Sequence, residues 1–260
     1  MLIEPKNEYI GSLTELWHKV FGDDEEYIKL FFKEAYYDCD CFAEISDSKI
    51  VSAFYLLKCI IKYDGKIYKG RYLYAAATLP EYRGKGLMAK LIKEAQDYIK
   101  ANDIDFIALV PASDSLYDFY GRFGFKEAMH KYKYAVTNET ATMRVYREIT
   151  DSNEFCKIRG SAGGNMLIYN DVGNAYAFDC LRYYGSGVFY INDNAYYAEG
   201  EELFCPDGDT AVNFINNLCS ESVIYLNCEI PGAEKVRNGM IYALDDKAEF
   251  KDIYMNLALD

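Results

Sequence analysis

A short turn rich in glycine and basic residues places the strongest constraint on how this chain folds. Tyr82-Arg83-Gly84-Lys85-Gly86-Leu87-Met88 lies between an apolar, strand-like run and a segment with helical periodicity. Two glycines two residues apart let the backbone turn tightly into a helix, so that several N–H groups and the positive helix end face one point. Because Arg83 and Lys85 add charge, the turn is predicted to bind an anion. An ordinary exposed connection between a strand and a helix fits the same residues when they are taken alone.

The segments on both sides of the turn have clear periodicity. Arg71 to Thr78 has the composition of a strand, and Pro80 stops strand pairing just after it. An amphipathic helix is predicted from about Gly86 to Ala101. Its apolar residues at spacings of three and four are Leu87, Leu91, Ile92, Ala95 and Ile99. A buried strand over Asp105 to Val110 and a helix over Ser115 to Arg122 follow.

This order of elements, followed by Tyr120-x-x-x-Gly124-Phe125, resembles the GNAT superfamily of acyl-coenzyme A dependent N-acetyltransferases. The resemblance covers roughly residues 1–136. Within it, Leu16 to Asp23 and Glu26 to Phe32 are similar to the two opening helices of the enhanced-intracellular-survival group of bacterial acetyltransferases. The resemblance implies an α/β (α+β) fold with a mixed, mostly antiparallel sheet flanked by helices.

The resemblance also implies acetyl-CoA as the co-substrate. The glycine turn would hold its pyrophosphate, and the strand before the turn would splay from its neighbour to admit the pantetheine arm. Ala76, Ala77 and Thr78 would offer backbone groups to the thioester and the pantetheine, and an N–H of Ala77 or Thr78 would polarise the thioester carbonyl. The residues implied around the phosphates are Arg83, Gly84, Lys85, Gly86, Leu87, Met88 and Ala89. Ser113 would contact the pantetheine or cap the helix that follows it.

Tyr120 is the candidate acid for the departing thiolate, because the GNAT pattern places a tyrosine beside the coenzyme sulfur at this position. We expect its proton to be donated more readily than the usual pKa of about 10 suggests. The alternative is a half-buried structural tyrosine. The general base stays open, since Tyr72 to Thr78 contains no carboxylate. A water relay, Asp114, an acid of the second half or the carboxylate at Asp260 are the alternatives.

The net charge of −13 is unevenly distributed along the chain. Residues 1–150 carry 23 acidic and 21 basic side chains, whereas residues 151–260 carry 18 acidic and 7 basic ones. This excess of acid argues against a nucleic acid or an anionic membrane surface as a partner, since both need a basic footprint. It suits a small cationic amine or a peptide amine as substrate, and it also suits a purely solubilising role.

Cysteine use and hydropathy limit the cellular setting. The eight cysteines include no CxxC pair and only two histidines accompany them, so we expect free thiols and no metal site. No apolar run is long enough to span a bilayer, and the N-terminus lacks the pattern of a signal peptide. A cytoplasmic protein is expected.

The composition changes after a polar stretch from Asn138 to Asn153, which predicts a GNAT domain over residues 1–138 and an acidic, β-rich domain over residues 139–260. In the second domain the predicted strands are Met166–Tyr169, Ala175–Leu181, Gly187–Ile191, Ala195–Glu199, Val223–Asn227, Met240–Leu244 and Ile253–Leu259. One helix is predicted from Asp209 or Thr210 to Leu218, with Thr210 as its N-cap. This order resembles a degenerate GNAT repeat whose acidic turn would repel a diphosphate. A plain accessory domain is the alternative, and either would form a wall of the substrate cleft or a homodimer surface.

Two functions from different classes follow. The first is an N-acetyltransferase that moves an acetyl group from acetyl-CoA to a primary amine by direct attack in a ternary complex. The second is an acyl-CoA-binding regulatory or partner-binding protein without catalysis. A domain that binds the phosphates of another nucleotide is a third alternative.

Overall fold

The computed structural model describes residues 1–3, 7–138, 146–161, 163–217, 220–244, 249–257 and 259. Its strands are β1 Leu2–Ile3, β2 Asp40–Ser46, β3 Lys49–Tyr63, β4 Lys66–Thr78, β5 Phe106–Leu109, β6 Lys126–Asn138, β7 Arg147–Glu148, β8 Met166–Tyr169, β9 Val188–Asn192, β10 Ala195–Ala198, β11 Glu202–Phe204, β12 Ser220–Leu226, β13 Glu234–Ala243 and β14 Ile253–Tyr254. Its helices are α1 Asn7–Phe21, α2 Glu25–Glu34, α3 Leu87–Ala101, α4 Asp114–Gly121, α5 Ser152–Ser161, α6 Asp171–Tyr183 and α7 Gly208–Ile215.

In the described part of the chain the strands join in one mixed sheet. Its main path runs β1-β2-β3-β4-β5-β13-β6-β12-β11-β10-β9-β7, and β8 and β14 pair with each other and with β3 and β6. Most neighbours are antiparallel, whereas β4 with β5, β11 with β12 and the pairs of β14 are parallel. The predicted α/β fold, with a mostly antiparallel sheet flanked by helices, is confirmed.

The two halves of the chain exchange their last strands. In each half a parallel pair is joined through a helix: β4 to β5 through α3, and β11 to β12 through α7. Strand β13 of the second half pairs with β5, while β6 of the first half pairs with β12. β6 and β13 then pair with each other at the centre. The second half therefore has the GNAT-like order that the sequence indicates. The division at residue 138 stays a prediction, and the strand exchange crosses it.

Strands β4 and β5 diverge, and this divergence positions the site. They pair only where Gly70 to Tyr72 lie beside Phe106 to Ala108. A Cβ on Gly70 would meet the Phe106 ring at 2.0 Å, so this close approach requires glycine. Further along β4, the register with β3 shifts around Ala75, whose φ of 50° is left-handed. This bulge turns β4 away from β5.

Helices cover both faces of the sheet around this divergence. The side chains of Tyr72 and Tyr74 pack in one core with Trp17 of α1 and Phe31 of α2. Leu73 points to the opposite face and packs in a second core with apolar residues of α3 and α4. Helix α6 of the second half joins the first core against α2, so the two halves share one hydrophobic interior.

Several predicted elements of the second half are corrected. Ala175–Leu181 is not a strand but part of α6, because the Asn170 side chain accepts the Gly173 N–H at 2.9 Å and caps the helix. Aromatic residues had favoured a strand there, and helix α5 was also missed. The cap of α7 is Asp207, not Thr210, since the Asp207 carboxylate accepts the Thr210 N–H at 2.7 Å.

The remaining predicted strands are confirmed, with shifted ends, at β8, β9, β10, β12 and β13. Of Ile253–Leu259, only Ile253 and Tyr254 form a strand. Leu218, the predicted helix end, lies outside the described residues.

Candidate functional site

The glycine turn opens helix α3 with unpaired amides. Gly84 and Gly86 have φ angles of 73° and 76°, and no described residue lies within 4 Å of where a Cβ would stand on either one. Gly86 is the N-cap and provides no side-chain acceptor. The first bond of the helix runs from the Lys90 N–H to the Gly86 carbonyl at 3.0 Å. The N–H groups of Leu87, Met88 and Ala89 therefore face outward at the positive end of the helix, as an anion site requires.

The two basic side chains of the turn are exposed and flank these amides. The Arg83 Nε donates to the Thr78 carbonyl at 3.1 Å, and the Lys85 Nζ lies 4.5 Å from the centre of the Tyr82 ring. Neither forms an ion pair with a described residue, so both charges are available to an external anion.

A cavity of about 330 Å³ lies where β4 and β5 diverge, and we call it the reaction cavity. Its walls come from strand β4, from the segment after β5, from helix α4 and from the α1–α2 connection. The lining residues are Trp17, Phe21, Asp23, Tyr72, Leu73, Tyr74, Ala75, Ala76, Leu109, Val110, Pro111, Ala112, Leu116, Tyr120 and Leu259. The wall is mostly apolar, which suits a pantetheine arm and a thioester.

Tyr120 is a buried part of this wall, with 6% of its surface exposed. Its ring packs edge-on against Phe125 at 5.7 Å, and its hydroxyl has no hydrogen-bond partner among the described residues. Burial raises the pKa of Tyr120 to about 12. The expectation of a more easily donated proton is therefore wrong, because a desolvated phenol holds its proton more firmly. The hydroxyl stays a neutral donor at physiological pH.

Of the predicted thioester contacts on β4, only Ala76 lines the reaction cavity. The Leu79 N–H donates to the Val51 carbonyl of β3. Because successive amides of an antiparallel strand point in alternate directions, the Ala77 amide also faces β3, whereas the Thr78 amide faces away from it. The Ser52 hydroxyl also bonds the Ala77 carbonyl and the Thr78 hydroxyl.

Ser113 is exposed and occupies the N-cap position of α4, but its hydroxyl bonds Ser115 at 3.0 Å instead of capping the helix. It does not belong to the described lining of the reaction cavity. Its contact with the cofactor stays a prediction.

Asp23 is a wall residue to which the sequence assigned no role. It follows Gly22, whose φ of 81° ends α1, and its carboxylate accepts the Trp17 indole N–H at 2.7 Å. A carboxylate held by an aromatic wall can bind a cation. The only sequence signal was the Gly22-Asp23 pair between two predicted helices.

Asp114, another candidate base, does not belong to the described lining of the reaction cavity. It is exposed and pairs with Arg237 at 2.5 Å. Asp260 lies outside the described residues.

Metal sites, disulfides and membrane-spanning helices are absent from the described residues. Among the described residues no group of three or more metal-ligating side chains exists. The seven cysteines within the described ranges are free thiols, and Cys219 lies outside them. None of the described helices is long and apolar enough to span a bilayer.

The chain is similar to known acetyltransferases in sequence and in fold. A family model described as "Acetyltransferase (GNAT) domain" matches residues 3–128. The fold is similar to Eis1 from Mycobacterium abscessus, with a TM-score of 0.70 at 10% identity over 94% of this chain and 73% of that chain. A GCN5-related N-acetyltransferase from Anabaena variabilis gives 0.67 at 15% identity over 94% and 72% of the two chains.

A second GCN5-related N-acetyltransferase, from Kribbella flavida, gives a TM-score of 0.65 at 14% identity over 94% and 71%. At these identities the structures show the fold alone. A search of curated proteins found no match. The matched segment contains the glycine turn, the diverging strands and Tyr120. Residues 3–128 of this chain are therefore an acetyltransferase domain of the GNAT family.

Proposed function

We propose that this protein transfers an acetyl group from acetyl-CoA to a primary amine, by direct attack in a ternary complex. The observation that carries the proposal is the reaction cavity at the divergence of β4 and β5, with the Tyr120 hydroxyl in its wall and without a partner among the described residues. The open amides at the start of α3 follow the C-terminal end of β4 in the chain, after the short turn that begins at Pro80.

The donor would bind along these two features. The diphosphate of acetyl-CoA would accept hydrogen bonds from the amides of Leu87, Met88 and Ala89, with Arg83 and Lys85 as counter-charges. Gly84 and Gly86 would allow the phosphates to approach the backbone closely, because no Cβ stands in the way. The pantetheine arm and thioester would occupy the apolar reaction cavity along Ala76.

The reaction then needs few further groups. The neutral amine nitrogen attacks the thioester carbonyl carbon, the C–S bond breaks, and coenzyme A leaves as a thiolate. The ammonium proton of the adduct passes to water or a nearby carboxylate. The Tyr120 hydroxyl donates a hydrogen bond to the sulfur as negative charge develops there. Holding both reactants in line can lower the barrier by up to about 7–11 kcal/mol, so no strong base is required.

Asp23 is a carboxylate in the wall of the reaction cavity, and it would bind the acceptor as an ammonium ion, which gives one proton to water before the neutral nitrogen attacks. Trp17 and Phe21 line the cavity beside it and would cover the carbon chain of the acceptor. A small cationic amine or a peptide amine matches this combination of one carboxylate and apolar rings.

Replacement of Tyr120 tests the function. Tyr120→Phe removes the donor to the leaving sulfur and keeps the buried ring. We expect kcat for acetyl transfer to fall by about 10- to 100-fold, because a positioned proton donor contributes at least this much. Release of free coenzyme A thiol with a panel of primary amines measures the rate, and isothermal titration measures acetyl-CoA affinity.

Tyr117→Phe is the matched control, since Tyr117 lies on the same helix and Arg237 lies over its ring. We expect it to leave kcat unchanged. Acetyl-CoA binding without turnover of any amine would instead favour the non-catalytic acyl-CoA-binding protein. ATP competing as well as coenzyme A for the turn would favour the third alternative.

A further inference from the structure

A second cavity lies between the two halves of the chain, and we call it the seam cavity. It measures about 170 Å³. Tyr27 of α2 lines it from the first half, and Cys180 of α6, Leu257 and Leu259 are among the residues that line it from the second half. Leu259 also lines the reaction cavity and, among the described residues, is the one that lines both. Leu259 therefore lies at the boundary between the two spaces.

The reaction cavity is lined from both faces of the sheet. Leu116 and Tyr120 in its wall belong to the core that packs against α3 and α4. Trp17 and Leu259 belong to the core that packs against α1 and α2. The glycine turn opens α3, so the donor would enter from the side of α3 and α4. The acceptor would then occupy the side of α1 and α2, which is the end where Leu259 lies.

Hydrogen bonds hold the residues around Leu259 in place. The Tyr169 hydroxyl donates to the Leu257 carbonyl at 3.0 Å, and the hydroxyls of Tyr27 and Tyr74 hydrogen-bond at 3.3 Å. Tyr74 lines the reaction cavity and Tyr27 lines the seam cavity, so the second of these bonds crosses the boundary. Leu259 contributes an apolar side chain to the same boundary, and only 7% of its surface is exposed. Packing alone holds this side chain, within a frame that hydrogen bonds fix.

We propose that Leu259 closes the acceptor end of the reaction cavity and so sets the longest carbon chain that the acceptor can have there. The proposal rests on the proposed function for the identity of the acceptor. A chain that runs from the reacting nitrogen past Trp17 would end against the Leu259 side chain, and the seam cavity behind it would stay out of reach. Among the described lining residues, the others all come from the first half. The second half thus contributes a specificity-determining residue.

A homologous series of straight-chain primary amines tests this limit. In the wild-type protein KM should fall about fourfold for each added methylene, the equivalent of roughly 0.8 kcal/mol per buried group, until the chain reaches Leu259. For longer chains KM should stop falling, and we call this chain length the length limit. In Leu259→Ala the fall should continue to longer chains, because the shortened side chain would join the reaction cavity to the seam cavity.

Three further variants separate this role from a loss of stability. Leu257→Ala is the matched control, because it removes the same atoms two residues away, at a residue that lines the seam cavity and not the described wall of the reaction cavity. It should keep the wild-type length limit. Leu259→Met nearly conserves the side-chain volume and should keep it too. Cys180→Phe, added to Leu259→Ala, should restore the limit, since the larger ring would fill the seam cavity.

The same series shows which results would overturn the proposal. A KM that falls along the whole series in the wild-type protein, or a length limit that Leu259→Ala does not move, would refute the role of Leu259 while the acetyltransferase function stands. An equal extension in Leu257→Ala would also refute it, because loosening of the segment would then be the cause.

Direct binding measures the length limit without turnover. Isothermal titration of the same amines into the protein saturated with coenzyme A should show affinity that rises up to the limit and then stays constant. If no amine is acetylated but the limit is present and moves in Leu259→Ala, the proposed function fails and the role of Leu259 stands.

Discussion

The two halves each contain a parallel strand pair joined by a helix, but the two helices begin in opposite ways. Helix α3 starts at Gly86, which has a left-handed backbone and provides no capping side chain. Helix α7 starts at Asp207, whose carboxylate accepts the Thr210 N–H at 2.7 Å. In α3 the positive helix end is open to an external anion, whereas in α7 the protein supplies its own anion.

The space around the two turns differs as well. A Cβ on Gly84 or Gly86 would meet no atom of the described residues within 4 Å, whereas one on Gly208 would meet the Glu229 carbonyl at 2.8 Å. The turn before α7 is therefore packed against its own chain. The sequence indicates a single cofactor site because the acidic turn of the second half would repel a diphosphate. The tertiary structure adds two reasons: the Asp207 carboxylate occupies the N-terminus of α7, and the turn before α7 has little space for a ligand. Both halves have the same order of strands and helix. They differ in whether the N-terminus of that helix is open to a ligand, as in α3, or closed, as in α7.

The largest expected effect comes from placing a carboxylate at the N-cap of α3, where α7 has Asp207. Gly86→Asp should weaken acetyl-CoA binding by about 100-fold, because a carboxylate would stand within a few ångströms of the diphosphate. Gly86→Asn is the control, since it has nearly the same shape and also tolerates the left-handed backbone but is neutral. Isothermal titration at constant ionic strength measures both. Equal losses in the two variants would show that space, not charge, distinguishes the turns.

A smaller effect is expected from the basic side chains beside the open turn. Lys85→Gln should weaken acetyl-CoA binding by about three- to fivefold at low salt, since Lys85 is exposed and its charge is screened by solvent. The loss should shrink as salt is added. Lys100→Gln, at the far end of α3, is the control and should leave the affinity unchanged. A salt-independent loss would contradict an electrostatic role.

The smallest effect on the cofactor is expected from removing the cap of α7. Asp207→Ala should leave acetyl-CoA affinity unchanged and lower the melting temperature by a few degrees at neutral pH. The Thr210 N–H lowers the pKa of the Asp207 carboxyl, so its stabilisation is present above the unfolded pKa of about 3.9 and is lost as pH falls through the lower folded pKa.

Thermal unfolding of wild-type protein and Asp207→Ala at neutral pH and in acid measures this dependence. The difference between them should vanish in acid, while Asp207→Asn, which keeps a capping oxygen, should resemble wild type at neutral pH. Weaker acetyl-CoA binding in Asp207→Ala would mean that the turns are not independent.

Local chemistry explains which elements could be predicted. Helix α3 begins and ends within a residue of its predicted bounds, because apolar spacing and a glycine start are signals within one segment. Helix α6 was mistaken for a strand, since its aromatic residues favour strands and its cap, Asn170, lies several residues upstream in what looks like a turn. The predicted cap of α7, Thr210, lies three residues after the observed cap, Asp207, because the helix already begins at Gly208.

The residues of the candidate site also differ in whether the sequence could predict them. The glycine turn and Tyr120 could be found in the sequence because each belongs to a local motif of fixed spacing. The place of Asp23 at the reaction cavity depends on how α1 and α2 pack against β4. The rise in the pKa of Tyr120 is likewise a result of burial, which no spacing reveals.

The sequence by itself determined the open helix end at Arg83 to Ala89, the family and the acidity of the second half, because each is a property of short segments or of composition. Only the tertiary structure decided that the halves exchange β6 and β13 and that Asp207 occupies the N-terminus of its own helix. These features depend on contacts between residues far apart in the chain, and such contacts are selected by packing of the whole sheet.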